Sequence, residues 1–188
     1  MQKINLTLTI SLMIVTLIIG MVFGYFITPS YQQSMYANEE MGLGKADKFV
    51  DLRYINQMAV HHRGAMLLAD QVKNKTKRDE VKKLGLMIEE VEPKLIDELY
   101  GWKKDWYKDT RRVIDPTVAN LGEYDERFDL RFINALIAHH EEGIEMTKEI
   151  RMKSSNNVVL NNADLVEKVL TDGIVMLNEW REDWYKVK

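Results

Sequence analysis

Apolar positions follow two patterns along this chain. From Ile4 to Ile27 they are nearly continuous, with no charged residue and only Asn5, Ser11, three threonines and two glycines among them. A helix of that length spans ~36 Å, enough for a bilayer core of ~30 Å. Tyr25-Phe26 followed by Thr28-Pro29 gives an interfacial aromatic and then a breaker, with no clear small-x-small cleavage site. The segment reads as a retained transmembrane helix covering residues 1–28, with a cleaved signal peptide as the alternative. Lys3 precedes it and Glu39-Glu40 follow it, which puts the N-terminus in the cytoplasm and the rest outside.

Residues 29–46 hold Pro29, Ser30, Gly42 and Gly44 without a period and read as a tether. Beyond Asp47 the pattern changes to a helical one. Leu52, Ile55, Ala59, Met66, Ala69 and Val72 recur at three- and four-residue steps, and so do Leu84, Ile88, Val91, Leu95, Leu99, Trp102 and Trp106. Pro93 should kink or interrupt the second of these helices. After a linker at 108–124 come a third helix from about Asp125 to Met152, an Asn/Ser-rich turn at 154–162, and a fourth helix from about Ala163 to Lys186. No segment alternates as a strand does. The expected fold is all-α: two helical hairpins, each unable to bury its apolar stripe alone, packed as a four-helix bundle over 47–188. Short up-down-up-down turns would make the first and third helices parallel and diagonal.

The hairpins are copies. Residues 43–107 laid over 121–185 without a gap give 20 identities in 65 positions, so repeat one covers 47–109 and repeat two 125–187. All four histidines obey this 78-residue offset, as the pairs His61-His62 and His139-His140, and so do all four tryptophans. Arg53 and Arg131 are read as structural partners of nearby acids. The tryptophan pairs Trp102/Trp106 and Trp180/Trp184 are read as closing the bundle ends.

Composition narrows the chemistry. The net charge of −3 gives no basic face for nucleic acid. The absence of cysteine removes disulfides, thiolate metal sites and cysteine nucleophiles. No Glu-x-x-His precedes the histidines, since Met58, Ala59, Leu136 and Ile137 stand there, so a di-iron carboxylate site is excluded. His-Glu-x-x-His, phosphate loops and Gly-x-Ser-x-Gly are also missing. On helix one, Met58, His62 and Met66 form a stripe with His61 beside it; on helix three, His139, Glu142 and Met146 do so, with His140 adjacent. Thioether and imidazole donors together suit copper. Asp51 and Asp129, one heptad before Met58 and Leu136, are candidate ligands or orienters of an imidazole.

Asp51-x6-Met58-x2-His61-His62-x2-Ala65, with a Trp-ending partner helix, resembles the signature of the family called domain of unknown function 305. Asp129-x9-His139-His140 resembles it more loosely. The resemblance implies a ferritin-like bundle, usually extracytoplasmic, with His and Met as copper ligands. The partner helix departs from it by carrying Glu92, Leu95 and Leu99 in one repeat, and Leu170, Gly173 and Leu177 in the other. The expectation is a membrane-anchored, extracytoplasmic metal-binding protein, not an enzyme, that sequesters, buffers or delivers copper. The alternative is a structural or protein-interaction bundle without metal.

Overall fold

The structure, a computed structural model, describes residues 42–187; the expected anchor and most of the tether lie outside them. Among the described residues no helix is long and apolar enough to cross a membrane. Four helices follow in order: α1 (Val50–Val72), α2 (Asp79–Tyr107), α3 (Phe128–Lys153) and α4 (Asn157–Tyr185). Two departures from expectation are local. α2 continues through Pro93, so of the two expected effects the interruption is absent. α4 starts six residues earlier than its apolar period, because the Asn156 side chain accepts a hydrogen bond from Val158 N and caps it. Asparagine there starts the helix rather than extending the turn.

The duplicated arginines do the same work in each repeat. Arg53 pairs with Asp47 at 2.9 Å and donates to the Leu43 and Lys45 carbonyls. Arg131 pairs with Asp125 at 2.8 Å and donates to the Leu121 and Glu123 carbonyls. Each arginine ties the incoming chain to the first turn of its helix.

α1 packs on α2, α3 on α4, and α1 on α3. The expected parallel, diagonal placement of the first and third helices is wrong: α1 and α3 are antiparallel neighbours. Tyr54, at the start of α1, donates to Asn162 near the start of α4, and Lys153, at the end of α3, reaches the Gly44 carbonyl. At the opposite end Arg78 pairs with Asp129. The reason lies in the linker. It is not a short turn but a strap whose residues contact α1 in ascending order: Arg63 pairs with Asp115 at 2.6 Å, Gln71 bonds Ala119 and Leu121, and Lys75 bonds Gly122 and Glu123. Some 20 extended residues reach ~65 Å, ample to follow the ~35 Å of α1. One long crossover is the ferritin-like way of closing a bundle.

The hairpins are thus related by an approximate two-fold rotation about the α1–α3 crossing. Two apolar clusters flank it. One joins the end of α1 to Phe128, Phe132, Ile133 and Leu136 of α3. The other joins Tyr54, Ile55 and Met58 of α1 to Ile150, Val166 and Leu170.

Candidate metal centre

The four histidines meet where α1 and α3 cross, and glycine on the facing helices makes room for them. A Cβ on Gly143 would stand 2.5 Å from His61 Nε2 and 2.5 Å from Leu170 Cδ1; one on Gly64 would stand 3.0 Å from His139 Cε1. In these spaces the rings of His61 and His139 stack, with centroids 3.9 Å apart and planes 11° from parallel. His61 Nε2 lies 3.0 Å from the His139 carbonyl oxygen. A carbonyl only accepts, so Nε2 carries the proton and Nδ1 keeps a bare lone pair.

His62 and His140 turn outward to the partner helices. His62 Nδ1 stands 2.5 Å from Glu92 Oε2 of α2. His140 faces α4, where a Cβ on Gly173 would lie 2.7 Å from its Nε2. The α4 counterpart of Glu92 is Leu170, so His140 meets no carboxylate there. His61 Nδ1, His139 Nε2 and His140 Nδ1 are all buried without a hydrogen-bond partner.

Burial sets the charge state of these rings. It pushes His61 well below the ordinary histidine value, and the neighbouring charges of His139 and His62 act in the same direction. Burial, followed by the charges of His140 and His62, lowers His139 to about 4. Burial alone lowers His140 to about 4. At neutral pH these imidazoles are uncharged, which is the form that ligates a metal.

The remaining predicted ligands divide. Met58 is fully buried, and Met146 packs against the same apolar cluster. The antiparallel register that sets Gly143 against His61 also sets Met146 level with Met58, which a parallel pair would not do. Met66 lies on the other side, lining a cavity of about 300 Å³ between α1, α2 and the strap, with Arg63 Nη1 3.9 Å from its sulfur. Glu142 is exposed. Asp51 and Asp129 are not brought to the histidines: each lies ten residues, ~15 Å, back along its helix, and the antiparallel crossing sends them to opposite ends of the bundle. Asp129 pairs there with Arg78.

Among the described residues no three His, Asp or Glu side chains converge as a ready metal-ligand set. The fit to a metal is one of donor chemistry: neutral buried imidazole nitrogens without donors, and two thioethers one turn away. Glu92 was missed as a site residue. Its signal was a carboxylate in line with the core positions Ile88 and Leu99 of α2.

A family model described as a domain of unknown function, DUF305, matches residues 51–127 and again residues 129–188. Among solved structures the chain is similar to CopM in the Cu(I)-bound form, with 25% identity and a TM-score of 0.64 over 72% of this chain and 97% of that one. CopM in the apo form gives 25% and 0.64 over 72% and 98%. CopM in the Cu(II)-bound form, at 22% identity and TM-score 0.60 over 72% and 97%, shares the fold. Comparison with curated proteins gave no match.

Proposed function

The chain belongs to the DUF305 family, and from that premise we propose that it is a membrane-anchored, extracytoplasmic protein that binds copper and sequesters, buffers or delivers it without catalysing a reaction. The observation that carries the reading is the set of three buried imidazole nitrogens with no hydrogen-bond partner. A buried polar group left unpaired costs ~1–3 kcal/mol, and three in one layer are a standing cost that a bound ion would offset. The likeness to CopM, whose structures include Cu(I)-, Cu(II)- and Ag-bound forms, supports copper as the cargo. His61 and His139 would hold the ion, with Met58 and Met146 as soft donors and His140 as a further nitrogen. Because the two central rings stack face to face, an ion held by both parts the stack. The anchor rests on the uncharged run from Ile4 to Ile27.

A second reading, a metal-free structural bundle, draws on the His61–His139 stack and the bond to the His139 carbonyl. Copper titration of the full chain against the His61→Ala/His62→Ala and His139→Ala/His140→Ala variants separates the two. Copper binding requires that at least one folded double variant lose affinity; if both keep the parent affinity, the structural reading holds. Protease added to intact cells should digest the bundle, and the mature protein should carry an unchanged N-terminus; a shortened one would replace the anchor with a cleaved signal peptide.

A further inference from the structure

The two ends of the bundle are copies of each other, yet one is filled by a cation and the other is not. Where α3 begins, Arg78 lies over Trp184, its guanidinium carbon 4.2 Å from that ring and 5.6 Å from the ring of Tyr185. Its Nε stands 3.6 Å from Oδ2 of the buried Asp129. A carboxylate below and an aromatic wall beside it make a guanidinium receptor, because the planar cation stacks on indole while pairing with the acid.

Where α1 begins, every acceptor recurs at the 78-residue offset: Asp51 for Asp129, Trp106 for Trp184, Tyr107 for Tyr185. Tyr107 lies at the first turn of α1, its hydroxyl hydrogen-bonded to the backbone of Leu52, the residue after Asp51; burial and then the charge of Asp51 push that hydroxyl's pKa up. The counterpart of Arg78 is Asn156, a short side chain already committed to capping α4. Arg53, whose charge also reaches Tyr107, is held by Asp47 and two backbone carbonyls, as Arg131 is at the other end. Among the described residues no cation pairs with Asp51 or lies over Trp106 or Tyr107. Oδ1 is buried without a hydrogen-bond partner in Asp51 and Asp129 alike, so the ends differ in the cation itself: Trp106 is 38% exposed, whereas Trp184 under Arg78 is half-buried.

We propose that Asp51, Trp106 and Tyr107 form a receptor for a guanidinium group supplied from outside the bundle. The proposal is independent of metal binding, because this end lies ~15 Å from the histidines. The group arrives either as an arginine side chain of a protein segment or as a small free guanidinium compound. N-acetyl-arginine amide, an arginine-containing tripeptide and N-acetyl-lysine amide are titrated into the full chain, with tryptophan fluorescence as the readout.

The arginine compounds should give a saturable change, weakened about tenfold or more by Asp51→Asn, which keeps the side chain's shape and removes its charge. Asn156→Arg should abolish the response, because it places the missing arginine as Arg78 is placed in the other repeat. Circular dichroism checks that both variants are folded. Tighter binding of the tripeptide than of the amide assigns the source to a protein segment; equal binding assigns it to a small cation. No saturable change in the parent chain, or one that survives both substitutions, overturns the proposal. An equal response to the lysine amide overturns the guanidinium assignment.

Discussion

Whether an imidazole can sit between α1 and α3 is decided by a hydrogen atom where most residues carry a methyl. Gly143→Ala places a Cβ 2.5 Å from both His61 Nε2 and Leu170 Cδ1, and overpacking of this kind costs about 1–3 kcal/mol. Urea unfolding should show that loss, and the His61 ring should leave its stack on His139, visible as changed imidazole proton shifts. The same rings should make the protein acid-sensitive. His139 and His140 titrate at about 4 when folded and at about 6.5 when unfolded. Between those values the unfolded chain binds more protons, so stability falls as pH drops from about 6.5 to about 4, on the order of 3 kcal/mol per histidine. Urea midpoints across that window should fall, and should fall less in a His139→Gln/His140→Gln variant. The histidine pairs were legible in the sequence because duplication kept both. Glu92 was not, because its place in line with Ile88 and Leu99 marks a core-side acid without saying which residue of the facing helix it meets. Asp51 and Asp129 were misread for a related reason: helical spacing fixes a face but not which partner stands ten residues away.

Among the elements, the helices themselves were the readable part. Apolar steps of three and four located all four, and misplaced only the start of α4, where a capping asparagine resembles a turn. The crossover was not readable, since residues 108–127 carry no period and their length alone allows either a loop or a strap. What makes it a strap is a set of polar contacts, and Gln71 is central to them: its amide donates to the Ala119 carbonyl at 2.9 Å and accepts from Leu121 N at 2.9 Å. Gln71→Ala gives the exposed Ala119 carbonyl to water and leaves the N–H of buried Leu121 without its partner, and should cost about 1–2 kcal/mol. Limited proteolysis should then nick the strap sooner than in the parent, near the 84% exposed Ile114.

For the molecule as a whole, the antiparallel crossing makes the strap a tether more than a support, since the α1–α3 contact and the two clusters beside it already join the halves. A protease site inserted after Ile114 and cut in the folded protein should leave the hairpins together on size exclusion; separate elution of the two fragments would show that the strap holds them. Two such hairpins on separate chains would form an isologous homodimer, in which a residue on the axis meets its own copy and every substitution occurs twice. Covalent joining lifts that constraint. His61 and His139 still meet on the axis as copies would, but the positions around them have diverged independently: Glu92 beside His62 against Leu170 beside His140, and Arg78 at one end against Asn156 at the other. A symmetric ancestor could change both halves only together, whereas this chain can give one half to scaffolding and keep the other free for a ligand.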